Sequence, residues 1–386
     1  MQRMSMGVIR QALELRGALH ECAELSGHEE RTAALVRERL AELGPDALLE
    51  GLGGHGLAAV FEGAAAGPRV LVRCELDALP IPESPGGPHA SRTPGVSHKC
   101  GHDGHMAILA ALAALLHERR PARGSAVLLF QPAEETGAGA RRVLDDERFV
   151  RLNPDMAFAL HNVPGYPLGS VLLRDGVFAS TARSLKLELE GETAHAAEPE
   201  KGVSPGAALA EILTEWPAVP QTVTSIDEPA LVTVVHARLG EPALGTSPGR
   251  ATAIATLRAQ SEGVMKRLSE RCEGLAQRLA AAHGLRVHSA WLEEFPCTES
   301  DAYANGIVEK AARDAGLNVV RLGRPFAWTE DFGHFTDSMR GAMFGLGAGL
   351  ETAPLHHPGY VFPDELVEIG ADLFLRVIEA AAAEGA

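Results

Sequence analysis

A chain of 386 residues, 46% hydrophobic and 22% charged, has the apolar content of an ordered globular protein, and its length suits two domains or one core with an insertion. A formal net charge of −16 argues against a nucleic-acid partner, which needs a basic face. No stretch approaches the roughly 18 uncharged apolar residues that span a bilayer, so no membrane partner is expected.

The opening is helical: Ile9, Leu13, Arg16 and Leu19 share one stripe, and Leu35, Val36, Leu40 and Leu43 form a second before Gly44-Pro45. Short apolar runs at 57–61, 70–73, 127–130, 156–160 and 170–173 predict strands, with a clear helix at 106–116 between them. This alternation predicts an α/β sheet covered on both faces. Near residue 179 the grammar changes. Residues 184–190 (SLKLELE) alternate strictly, and a helix (205–215), two strands (231–238, 252–258), a long helix (264–283) and a strand (285–291) follow. That β-α-β-β-α-β order is ferredoxin-like. After 295 a helix (302–315) and a strand (342–346) restore the α/β pattern. The expected organisation is a first catalytic part (1–178), an inserted α+β domain (179–294) and a second catalytic part (295–386).

Five cysteines, odd in number and scattered, make no disulfide framework. The first 25 residues carry acidic groups and lack an apolar segment with a cleavage site. They are expected to be a helix of the fold, and the protein to be cytoplasmic.

Three apparent motifs fail on chemistry. Gly51-Leu-Gly53-Gly-His-Gly56 fits a dinucleotide fingerprint, but a strand follows it where a helix is needed. Gly245-Thr-Ser247-Pro-Gly249 fits a nucleophile elbow, yet Pro248 has no N–H to donate to an oxyanion. His20-Glu21-Cys22-Ala23-Glu24 ends in the wrong residue for a zinc helix.

The segment 97–105 (SHKCGHDGH) packs three imidazoles and a thiol, ligands suited to zinc and similar metals, just before a helix. Of its histidines, His98 and His105 are the better candidates for supporting or capping roles. Phe130-Gln131-Pro132-Ala133-Glu134-Glu135, His161 after a strand, and His356-His357 bring further ligand types to positions beyond strand ends, where open α/β sheets place their sites. Adjacent carboxylates do not easily point the same way, so one can bind metal while its neighbour faces the substrate. Asp77, after another strand, is placed to orient an imidazole.

With HKCGHDGH (98–105), FQPAEE (130–135), RCELDALP (73–80), LHECAELSGHEERT (19–32), and HHPGYVFPDE (356–365), the chain resembles the metal-dependent aminoacylase/carboxypeptidase family in its amidohydrolase branch. That branch holds hippurate hydrolases, N-acyl-amino-acid amidohydrolases and auxin-conjugate hydrolases. The resemblance implies a mixed-sheet α/β metallohydrolase core with an inserted ferredoxin-like lid and dimerisation domain, and a homodimer. It implies two divalent ions per subunit (zinc, manganese or cobalt) held by Cys100, His102, Glu135, His161 and His356. It makes Glu134 the general base, Asp77 its supporting carboxylate and His195 a group reaching a partner subunit's site, with Arg258 and Glu330 at the substrate end. The implied reaction is hydrolysis of a small N-acyl amino acid or similar amide by metal-activated water. Dipeptide cleavage or aromatic aminohydrolysis at the same site is one alternative; a catalytically silent metal-binding dimer is another. The chain departs from the pattern at Ala23, Glu75, Glu200 and Ala243-Leu244-Gly245, of which the last two bear on recognition of a substrate carboxylate.

Overall fold

The computed structural model describes residues 4–84 and 89–384, and the chain forms two compact units. Residues 1–3 of the expected opening helix lie outside the described residues. The first unit comprises 1–178, 298–325 and 330–386; the second comprises 179–297 and 326–329.

In chain order, helices α1 (Met6–Glu21) and α2 (Glu30–Glu42) precede strands β1 (Ala47–Leu52), β2 (Gly56–Glu62) and β3 (Arg69–Glu75). Helix α3 (His102–Glu118) leads to β4 (Ser125–Gln131), β5 (Met156–Val163) and β6 (Val171–Leu173). The second unit supplies β7 (Thr181–Glu190), α4 (Gly206–Glu215), β8 (Ala230–Leu239), β9 (Arg250–Ala259), α5 (Glu262–Ala282) and β10 (Arg286–Phe295). The chain then returns through α6 (Ala302–Asp314), β11 (Val319–Arg321), β12 (Arg340–Gly347) and α7 (Glu365–Glu384).

The first unit is built on one eight-stranded sheet of order β1-β2-β4-β3-β5-β12-β6-β11. Its centre is parallel: β3 lies between β4 and β5, and β5 pairs with β12. Antiparallel β1 and β2 extend one edge, so the sheet is mixed. The glycine cluster at 51–56 is the turn of this hairpin, and no helix follows it. The central strands are buried along almost their whole length, as parallel strands covered on both faces must be. Helix α3 is apolar nearly all round and is correspondingly buried, packed against α1, α7 and β3. It begins at Gly101, whose φ of +94° suits glycine, and an added Cβ there would fall 2.6 Å from Asn162 Oδ1.

The second unit is the expected ferredoxin-like module. Its four strands are all antiparallel in the order β8-β9-β7-β10. Alternate residues of β7, Leu185, Leu187 and Leu189, join the cluster that packs α4 and α5 against the sheet. Trp216 is fully buried there, and its indole N–H donates to Cys272 O at 3.1 Å.

No described helix is long and apolar enough to cross a membrane. Helix α7 and strand β1, absent from the sequence-based expectation, complete the first unit. The buried face of α7 is a plain stripe of Leu366, Val367, Leu373, Phe374, Val377 and Ile378.

Gly104, in the first turn of α3, packs under Phe362 so closely that a Cβ would lie 2.3 Å from the ring. Gly104→Ala gains about 1 kcal/mol of helix propensity but forces a buried ring to move, at about 1–3 kcal/mol. The expected net result is a lower urea midpoint for the metal-free protein; a raised midpoint would contradict this packing.

Candidate metal centre

The parallel strands end on one side of the sheet, and the chemistry gathers there. Strand β3 hands over to Asp77, β4 to Glu134 and Glu135, β5 carries His161 near its end, and the loop after β12 brings His356. Cys100 and His102 straddle Gly101 at the start of α3.

Cys100 Sγ lies 3.4 Å from His161 Nε2. Donor atoms of Cys100, His102 and His161 fall within 4.8 Å of one another, and so do those of Cys100, Glu135 and His356. The thiol is therefore common to two candidate triplets. Glu135 Oε1 bridges toward both sides, 3.9 Å from His102 Nε2 and 3.8 Å from His356 Nε2. Neither this oxygen nor His102 Nε2 has a hydrogen-bond partner among the described residues, although both are buried. Buried polar atoms are normally paired, so this convergence of unpartnered ligand-type atoms fits a cation.

The tautomers agree. His102 Nδ1 donates to Asp77 O at 2.8 Å, and His161 Nδ1 donates to Asn162 O at 2.9 Å, which leaves each Nε2 to face the cluster when the ring is neutral. One thiol, three imidazoles and a carboxylate form a donor set suited to zinc, manganese or cobalt. The residues fit a metal.

Electrostatics carry the same mark. Burial opposes a charge on His102, but Glu75, Asp77 and Glu135 outweigh it and lift the ring to about 10. Burial and Asp77 push Glu135 up to about 7 against the pull of His102. Burial, then the neighbouring Glu330 and Glu135, hold Glu134 well above the usual carboxylate range. Burial takes His161 down to about 3. Burial and the crowding of carboxyl groups here are what hold Glu134 and Glu135 above the usual carboxylate range.

Beneath it lies a charge network that the sequence reading missed. Arg73, fully buried in β3, donates to Glu75, to Glu330 Oε2 at 3.2 Å and to Asp331 Oδ1 at 2.5 Å. Asp331 Oδ2 also accepts from Gln131 Nε2 and Ala140 N, each at 2.8 Å, and Asp331 N donates to Glu134 Oε1 at 3.2 Å. Glu75 Oε2 accepts from His105 Nδ1 at 2.6 Å, so His105 supports the cluster from behind. The available signal was an arginine inside an otherwise apolar buried strand, which demands acidic partners.

Cys100, His102, Glu134, Glu135, His161, His356 and Asp77 thus share one region of the first unit. Asp77 Oδ2 accepts from Ser26 Oγ at 2.7 Å and from Glu135 N at 2.9 Å. Glu330 belongs to the same region, only 1% exposed, with its carboxylate within 4.8 Å of those of Glu134 and Asp331. His195 and Arg258 lie in the second unit, both exposed. His195 Nδ1 accepts from Ala197 N at 3.1 Å, and Arg258 stands on β9 opposite Ala182 and Leu231. His20, from the failed zinc motif, is held between Asp103 and Glu83 at 2.9 and 2.6 Å.

Residues 71–380 match the model of peptidase family M20/M25/M40. The chain belongs to this family. It is 32% identical to an N-acetyl-L-cysteine deacetylase of Bacillus subtilis over 95% of this chain and 86% of that protein. It is 27% identical to a hippurate hydrolase of Campylobacter jejuni over 96% and 98%. Among solved structures, a dinuclear metal-binding peptidase of the M20 family from Bacillus subtilis superposes with a TM-score of 0.81 at 26% identity, covering 98% of this chain and 99% of that one. The mixed α/β core with its inserted module is thus the family's fold.

Arg73→Met leaves Glu75, Glu330 and Asp331 buried without their cation. The expected cost is on the order of 3–5 kcal/mol in chemical denaturation of the metal-free protein, the usual penalty for breaking a buried ion pair from one side. A loss under about 1 kcal/mol would show that Arg73 does not organise this network.

Proposed function

We propose that this member of the M20/M25/M40 family hydrolyses the amide bond of small N-acyl amino acids at a two-metal centre, as a cytoplasmic homodimer. The observation that carries the reading is the pair of donor triplets sharing Cys100 Sγ beside Glu134. The names of relatives that deacetylate N-acetylcysteine or hydrolyse hippurate support the substrate class. The unbridged thiols of Cys22, Cys74, Cys100 and Cys272 suit a reducing compartment.

Cys100, His102, Glu135, His161 and His356 would hold the ions. Bound there, they would supply Lewis acidity for a carbonyl oxygen and a water acidified to near neutral pH. Glu134 takes a proton from the attacking water and returns it to the departing amine nitrogen, so that amide and water become carboxylate and amine. Its hydrogen bond from Asp331 N fixes one oxygen. Asp77 keeps its neighbours apart: its backbone oxygen sets the His102 tautomer while its carboxylate holds the Glu135 backbone. Glu330, beside Glu134, and Arg258 would line the substrate end. His195 would act as an electrophile in the partner subunit's site, with the inserted module as lid and dimer contact.

Chelation should abolish turnover of N-acetyl and N-benzoyl amino acids, and zinc, manganese or cobalt should restore it, with dipeptides as the comparison substrates. Full activity in protein shown to be metal-free would end the reading. Glu134→Gln should keep its metal and lose about 10²–10⁴-fold in kcat, whereas Glu135→Gln should bind metal poorly. The reverse pattern would exchange the two roles.

For His195, inactive His195→Ala and Glu134→Gln dimers are mixed in equal amounts with free exchange. Half the dimers are then mixed, and each rebuilds one intact site of two, so about a quarter of wild-type activity should return. No recovery, with mixed dimers shown to be present, would place His195 in its own subunit's site or outside the reaction.

A further inference from the structure

The turn that separates base from ligand is itself held in an unfavourable shape, and one buried carboxylate far away in sequence holds it. Ala133, just before Glu134-Glu135, sits at φ +53° and ψ +42°, the left-handed region that a residue with a Cβ seldom adopts. The conformation turns the chain sharply out of β4, from Pro132 into the short helical turn Glu134–Thr136. Its amide donates to Glu29 Oε1 at 2.8 Å. The same oxygen accepts from Gly27 N, also at 2.8 Å, and Glu29 is fully buried.

Glu29 belongs to a brace and not to an isolated contact. The preceding residues pin the neighbouring loop: Ser26 Oγ donates to Asp77 Oδ2, the oxygen that receives Glu135 N, and Ala78 N donates to Glu24 O at 2.8 Å. One segment, 24–29, therefore docks both the loop after β3 and the loop after β4. Helix α2 begins at once behind it, anchoring the brace to the core. A carboxylate buried with its second oxygen unpaired among the described residues is costly to keep for packing alone.

We propose that Glu29 is a positioning residue: by holding Ala133 in its left-handed conformation it aims Glu134 and Glu135 in different directions, one for proton transfer and one for metal. The inference rests on the reading that these two carboxylates divide those tasks. Glu29 lies outside every candidate donor group among the described residues and acts through the backbone of Ala133.

The test compares wild type with Glu29→Met, which fills the space without an acceptor, Glu29→Gln, which keeps the accepting oxygen, Ala133→Gly, and Glu29→Met/Ala133→Gly. Three quantities are measured on the full chain: zinc affinity by chelator competition, kcat and KM for an N-acetyl amino acid, and the unfolding midpoint of the metal-free protein. Loss of a group that orients metal ligands costs about 10- to 100-fold. Glu29→Met should lose that much in zinc affinity and in kcat, with KM little changed, while Glu29→Gln stays near wild type. Glycine adopts φ +53° without penalty, so adding Ala133→Gly should restore most of what Glu29→Met loses. Should Glu29→Met not fold, Glu29→Asp, which withdraws the acceptor by one methylene, takes its place and must show the same loss and rescue. A folded Glu29→Met, or Glu29→Asp in its place, with wild-type affinity and kcat overturns the proposal. So does a loss that Ala133→Gly leaves unchanged, which would mark Glu29 as stabilising packing alone. Wild type that binds no zinc and cleaves no amide would instead defeat the functional reading beneath it.

Discussion

Burying Cys100, His102, Glu135 and His161 around one point costs free energy that the surrounding protein does not return. His102 Nε2 and Glu135 Oε1 converge, both buried and neither hydrogen-bonded among the described residues, in a region where carboxyl groups outnumber basic ones. A polar cluster of this kind persists in a fold only when something else satisfies it, and divalent cations do so most directly. The rest of the first unit can be understood as a frame that keeps these donors apart and aimed.

The frame uses three devices. Parallel strands β3, β4 and β5 end side by side, so residues distant in sequence arrive together. Two non-glycine residues in left-handed conformation, Ala133 and His356, shape the loops that carry candidate donors, and each has its amide fixed, by Glu29 Oε1 and by Lys99 O respectively. Arg73 beneath the cluster then gathers Glu75, Glu330 and Asp331, and through Asp331 steadies Glu134. Strain at the loops and charge beneath them are local violations of good folding practice. They are stable because the sheet, α3 and α7 bury an extensive apolar core around them.

The donor-type residues that the structure gathers were legible because they cluster in sequence: HKCGHDGH and QPAEE each bring several chemically unusual neighbours into a few residues. The alternation of strand and helix was equally plain, and so was the strictly alternating strand that opens the ferredoxin-like module, since period two is unambiguous where one face is wet. What remained hidden was pairing at long range. Arg73 meets Asp331 across 258 positions, and Glu29 meets Ala133 across 104. No periodicity encodes such contacts. An arginine in a buried strand announces that a partner exists without saying which. The left-handed turn at Ala133 was hidden for a different reason, because alanine gives no turn signal where glycine would have given one.

Under the proposed function, Cys100, His102, Glu135, His161 and His356 would hold two cations. Anomalous diffraction from crystals of the zinc- or manganese-loaded protein tests it most directly. Two peaks per chain are expected, within coordination distance of donors among Cys100, His102, Glu135, His161 and His356. A single peak, or peaks at Glu75 and His105 or at Glu134, Glu330 and Asp331 with none at Cys100, would contradict it.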